Sequence, residues 1–267
     1  MRCPCVSIGI LISIFIFSFF GPYVYTVNPY NLNPEALLLP PSLDHLFGTD
    51  RLGRDLFARL MYGGRVSLII GVGSALIASM LGLIIGITAG FFRGKVDKGF
   101  VIIVDLFLTF PTFFLLLALV SYVESSIWVL IFVISVTGWM TMARMIRAES
   151  FSIADKPFIK ILKIANVSSL KIILKYFAPL LAPIFFVSFT FGVGGAILSE
   201  SALSFLGLGI TPPQMSWGSL ISEGKDVMEI AWWISFFPGM MIFLVTFSLM
   251  QISDYLQGRT NRKEVLG

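Results

Sequence analysis

Charge is what this chain lacks most. Charged residues fill 13% of its 267 positions, against about 25% in an ordinary soluble domain. Hydrophobic residues supply 57%, and the mean hydropathy is +0.91. Too few polar side chains remain to coat a water-facing surface, so lipid must solvate much of the molecule. Histidine is nearly absent. The single His45 excludes an H-E-x-x-H zinc site and leaves serine–histidine chemistry only a base outside the apolar runs; in its polar loop it reads as a solvated side chain. Cysteine is scarce too. Cys3 and Cys5 form a C-P-C with neither the number nor the spacing of a disulfide framework or zinc site, and read as free thiols. No G-x-x-x-x-G-K-[ST] occurs, because Gly94-Lys95 lacks the upstream glycine and the following hydroxyl. The chain reads as a conduit rather than a catalyst, with no metal, cofactor or catalytic residue expected.

What is present is a series of long apolar runs. A helix needs about 20 mostly apolar residues to cross the hydrocarbon, and six segments qualify: Val6 to Val27, Val66 to Gly90, Val101 to Tyr122, Ser126 to Ala143, Phe177 to Leu198 and Ile230 to Ser253. The expectation is an all-α integral membrane protein with six transmembrane helices. No small-x-small site follows the first run, so it reads as an uncleaved anchor over 1–27 rather than a signal peptide. A loop and amphipathic segment would occupy 28–65, a five-helix core 66–256 with a basic loop at 147–176, and a tail 257–267. Lys and Arg set the orientation. With the N-terminus inside, Arg2, Arg93, Lys95, Lys98, Arg144, Arg147, Lys156, Lys160, Lys163, Lys171, Lys175, Arg259, Arg262 and Lys263 are cytoplasmic, leaving Arg51, Arg54, Arg59, Arg65 and Lys225 outside. Both termini are therefore expected in the cytoplasm of a multi-pass inner-membrane protein. The net charge of +4 reflects this topology and needs no nucleic acid.

Within the runs, Ala78, Gly82, Gly86 and Gly90 recur every four residues, a flat stripe suited to tight helix packing. "FGVGGAILSESALSFLGLG" is again glycine-rich, read first as packing, with a kink or broken helix as the alternative. Asp105 should have an arginine partner, and Glu200, placed just past its span, should be wet. The segment "FIKILKIANVSSLKIILKYFAP" stands apart. Phe158, Ile161, Leu162 and Ala165 share one helical face, while Lys156, Lys160 and Lys163 lie on another. Asn166 is the residue best suited to a left-handed turn, and Ser168 or Ser169 to an N-cap. Two readings stay open: an interfacial helix on anionic lipid, or a cytoplasmic helix docking in a partner's groove.

Four ordered stretches carry a resemblance: "HLFGTDRLGRDLFARLMYGGRVSL", "VDLFLTFPTFFLLLALV", "ARMIRAES" and "ESALSFLGLGITPPQMSWGSLISEG". From His45 to Leu256 the chain resembles permease subunits of peptide and nickel ABC importers, the second permease of the pair. The resemblance implies half of a translocation pathway, completed by a homologous second permease. Two ABC ATPase subunits would drive it, and an extracytoplasmic substrate-binding protein would deliver short peptides or nickel. It also implies that the insert is a coupling helix contacting the ATPase through Phe158, Lys160, Ile161, Leu162, Lys163 and Asn166. In that family the loop reads E-A-A with a following glycine, whereas this chain has Lys160, Ile161, Leu162 and Asn166 there. The departure implies a wider, more acidic groove on the ATPase, or else a poorly coupled subunit. An ATP-independent secondary transporter or channel is the rival reading. It would need intramembrane ionisable groups and repeats, for which Asp105 alone is thin support.

Overall fold

A computed structural model describes residues 4–266, and the side chains of residues 4–258. Arg2 and Cys3 lie outside the described residues, as do the side chains of Arg259, Arg262 and Lys263. Every regular element among the described residues is helical. The first helix, α1 (Cys5–Phe19), is followed by a single turn, α2 (Gly21–Val24). An irregular stretch with a 3-10 turn at Pro34–Ala36 leads to α3 (Leu56–Phe92). Then come α4 (Gly94–Leu108), α5 (Thr112–Val120), α6 (Ile127–Ala154) and α7 (Pro157–Ile164). A short α8 (Ser169–Ile172) passes through a π turn (Ile173–Phe177) into α9 (Ala178–Phe205). The chain closes with α10 (Trp217–Gly224) and α11 (Trp233–Leu266).

Four of these are long and apolar enough to cross a membrane: α3, α6, the continuous run Ser169–Phe205, and Trp233–Gly258 within α11. The pair α4 and α5 makes a fifth, but it is bent by 79° rather than running straight as expected for Val101 to Tyr122. Pro111 explains the break. It has no N–H to continue the ladder and pushes Phe110 away from helical angles, while the Thr109 hydroxyl donates back to the Asp105 carbonyl at 2.8 Å. The six-span count is not reached by length alone. At 15 residues α1 extends about 22 Å, short of the roughly 30 Å of hydrocarbon.

α3 begins ten residues before the expected Val66. Asp55 caps it, accepting from the Ala58 N–H at 2.9 Å, which satisfies an otherwise orphaned donor. Its seam with α6 is built on glycine. A Cβ at Gly86 would lie 2.7 Å from the Ala143 carbonyl oxygen, and one at Gly90 would lie 2.9 Å from that of Arg147. A Cβ at Gly82 would meet Met142 Cβ at 2.9 Å, and Ala78 faces Gly138 across the same seam. Close approach of this kind gains dispersion contacts where no water drives association.

The fifth expected span needs correction at both ends. Its glycine-rich stretch is unbroken helix, and the irregularity is instead the π turn at Ile173–Phe177. Pro179 cannot donate to the Lys175 carbonyl and its ring crowds that carbonyl, so the extra residue is absorbed one turn earlier. At the other end α9 continues to Phe205 and stops in a Schellman turn. Gly207 takes φ +81, and the Leu208 N–H bonds the Leu203 carbonyl at 2.9 Å.

Candidate functional site

At the end of the bundle rich in Lys and Arg, α7 folds back beneath α3, α6 and α9. Pro157 opens it, where a missing N–H costs nothing. Asn166 ends it at φ +55, and α8 follows at once with Ser168 as N-cap residue. Ile159 is completely buried, among Ile146, Ile153, Ile172 and Phe177. This residue was missed in the sequence, where Phe158, Ile161, Leu162 and Ala165 formed the apolar face. Of that face Leu162 is half-buried and Phe158, Ile161 and Ala165 are exposed; Ile164, on the same side, is 81% exposed. Lys163 is tied inward, its Nζ 4.3 Å from the Phe91 ring centroid at the end of α3.

Acidic side chains occupy the cations around α7. Arg93 bonds Asp155 at 2.7 Å, and Lys160 reaches the same carboxylate at 4.0 Å. The Arg93 hydrogen bond, then the Arg93, Lys160 and Lys163 charges, hold the Asp155 carboxyl below its ordinary range. Arg147 grips Asp97 through two nitrogens, one at 2.8 Å, and Arg144 meets Asp105 at 2.7 Å, the arginine partner expected for that carboxylate.

The opposite end is held by a second polar cluster. Arg59, only 2% exposed, lies between Asp50 and Glu223, which it meets at 2.8 and 2.9 Å. Arg54 bonds both acids as well, at 2.7 and 3.0 Å. Burial pulls the Asp50 carboxyl upward, but the Arg59 charge, the Arg54 and Leu52 N–H groups and the Arg54 charge outweigh it. The net direction is below its ordinary 3.8. His45 is not simply solvated: its Nδ1 lies 2.9 Å from Asp55, which also accepts from the Tyr25 hydroxyl at 3.1 Å. Glu200 is likewise not wet. It is fully buried, accepts from Ser204 at 2.7 Å, and shares its surroundings with Ser216, the N-cap of α10. Trp217 then locks α10 to α3, its N–H on Ser67 at 3.0 Å and its indole on the Leu60 carbonyl at 3.0 Å. Charges such as Asp50 and Arg54, four apart, are readable locally; their partner Glu223 lies too far along the chain to be.

Between the two ends, α3, α5, α6, α9 and α11 enclose a half-open cavity of about 510 Å³. Ser79, Thr137, Thr141, Ser199 and Gln257 line it beside Met145 and Phe191. Of the expected stripe, Ala78 also lines the cavity, whereas Gly82, Gly86 and Gly90 belong to the seam.

Comparison with known proteins agrees with this arrangement. The family model for binding-protein-dependent transport system inner membrane components matches residues 61–262. The dipeptide transport system permease of Bacillus subtilis is 34% identical over 258 residues, covering 95% of this chain and 80% of that protein. The oligopeptide transport system permease of Haemophilus influenzae is 34% identical over 257 residues, covering 96% and 81%. In the fold, two crystal forms of the inward-facing methionine ABC transporter MetNI align with TM-scores of 0.58 and 0.56. Each does so at 15% identity over 74% of this chain, covering 96% and 95% of the respective matched chains. With its helical membrane core and its match over most of its length, this chain belongs to the family of binding-protein-dependent transport system inner membrane components.

Proposed function

We infer that the chain is the permease subunit of an ATP-driven importer of short peptides, contributing half of the pathway and no catalytic residue of its own. Peptide is preferred to nickel because the relatives described above are named as dipeptide and oligopeptide permeases. In this reading α1 and α2 together complete a sixth span, and both termini and α7 are cytoplasmic, with the Arg59 cluster outside. A homologous permease, two ATPase subunits and an external binding protein complete the assembly, with lipid around it.

The single observation that carries the coupling role is the division of α7. One side, through Ile159, is sunk into the ends of the spans, while Phe158, Ile161 and Ile164 face outward. A helix resting on lipid would need only the second side. A helix that transmits a push must be fixed to what it moves, and Ile159, Phe177 and the Lys163–Phe91 contact join α7 to three spans. ATP-driven closure of the partner subunits would then shift α7 and tilt the inner ends of α3, α6 and α9 between outward- and inward-facing states.

Purification from native membranes should bring down two ATPase subunits and a second permease. Capture of the chain with no ATPase would support the rival, an ATP-independent transporter. Lys160→Glu tests the more acidic groove and should weaken ATPase capture. Asp155→Asn removes the carboxylate that Lys160 shares with Arg93, in exposed pairs of small value, and should leave capture intact. Undiminished capture by Lys160→Glu would remove the idea of an acidic groove.

A further inference from the structure

The cavity between α3, α6, α9 and α11 has a chemistry of its own. Its volume of about 510 Å³ falls in the range of roughly 300–1,000 Å³ found for small-ligand sites. Two hydroxyls in its wall, Ser74 and Ser188, are buried and have no hydrogen-bond partner, although an unpaired buried polar group is costly. Among the described residues lining the cavity a single one carries formal charge, Asp254 on α11.

The Asp254 carboxylate makes no hydrogen bond or ion pair with any described residue, although the helix around it is well anchored. Gln251, one turn earlier on α11, accepts from Ser7 of α1 at 2.6 Å. Ser253 donates to the Val187 carbonyl of α9 at 3.2 Å. α11 is thus fixed on two sides, and Asp254 is presented to the cavity. It lies 21 residues beyond Trp233, the first residue of α11, so about 32 Å from the loop end. The arginines of α6 at this end have other carboxylates as partners, Arg144 with Asp105 and Arg147 with Asp97. Asp254 is exposed at the mouth of the half-open cavity, where a single negative charge attracts cations and repels anions. Unpaired hydroxyls nearby can bond amide groups without adding charge.

Building on the permease reading above, we propose that Asp254 selects cargo at the inner mouth of this half of the pathway, holding the cationic side chain of a short peptide. The fit is to a peptide with an ammonium-bearing side chain and a backbone of amides. One carboxylate among hydroxyls and an amide is a poor ligand set for a transition metal, which prefers imidazole or thiolate. A single charge-assisted bond also suits transport, since cargo must be held firmly enough to enter and loosely enough to leave.

The test uses the complete transporter, with its second permease, ATPases and binding protein, in proteoliposomes. ATP-dependent uptake of labelled alanyl-lysine, alanyl-alanine and alanyl-glutamate is compared for the native chain, Asp254→Asn and Asp254→Glu. Asp254→Asn should lower uptake of alanyl-lysine by about ten-fold or more, the equivalent of one hydrogen bond to a charged group. Alanyl-glutamate should be affected least, and Asp254→Glu should restore the native order. Uptake unchanged in Asp254→Asn overturns the assignment, and so does a loss that is equal for all three peptides or is not rescued by glutamate. Failure of the native transporter to take up any of the three with ATP would sink the peptide-importer reading itself, a different result.

Discussion

Arg59 is the costliest single side chain to lose. It is almost fully buried and bonded to Asp50 and Glu223, so its removal takes away one of the two cations that hold the buried Asp50 carboxylate and leaves Arg54 alone there. Breaking such a pair by removing one member costs about 3–5 kcal/mol. Arg59→Ala should therefore lower the thermal unfolding midpoint of the detergent-solubilised chain, whereas Arg51→Ala, at an exposed pair with Asp226, should leave it within the noise. Tyr25 offers a test by pH. Burial, then the Asp55 charge, then the hydrogen bond to Asp55 push its hydroxyl from 10.0 up to about 12. The folded chain holds this proton more tightly than the unfolded chain does. The stability it contributes is thus complete below pH 10.0 and is lost as the pH climbs to about 12. Phenolate absorbance should show a late-titrating tyrosine that Tyr25→Phe removes.

At the scale of elements, the seam between α3 and α6 gives the clearest contrast. At Gly86 an added methyl meets the Ala143 carbonyl, which is backbone and cannot swing aside, whereas at Gly99 it meets open space. Gly86→Ala should destabilise by about 1–3 kcal/mol through overpacking. Gly99→Ala should be neutral or stabilise by up to about 1 kcal/mol through helix propensity. Thermal unfolding of the two variants side by side checks both. The four-residue period of Ala78, Gly82, Gly86 and Gly90 is legible because a helix brings such positions onto one face. The left-handed turn at Asn166 is legible too, since few non-glycine residues tolerate it. Other elements resist reading for physical reasons. Hydropathy averaged over "LTFPTFF" conceals the turn that Pro111 imposes. In "PFIKILKI" the apolar residues point several ways, so only the neighbouring spans decide that Ile159 goes inside. Glu200 looks like the end of a span because it is charged, yet its carboxylate accepts from Ser204 one turn on, and the helix runs to Phe205, seven residues past the expected end at Leu198.

For the whole molecule the informative feature is α3, whose 37 residues make about 56 Å of helix. It starts in the Arg59 cluster, runs past the cavity, and ends with Phe91 under Lys163. Among the described elements it has no proline and no π turn, in contrast to the bend at Pro111 and the irregular turn before Pro179. Spin labels at Ile69→Cys and Phe92→Cys, in a chain lacking Cys3 and Cys5, should stay about 35 Å apart with and without ATP analogue in the assembled transporter. A label on α5 paired with Phe92→Cys should change its separation. A change within α3 itself would show that this helix yields.

If α3 does not yield, the two faces of the membrane are geared together without slack. Whatever turns Phe91 on one side turns Arg59 on the other, by the same angle and at the same moment. The subunit would then have no means of loosening its grip on an external partner without also changing its grip on the internal one. Timing between the two events would be a matter of mechanics alone, with no messenger needed in between.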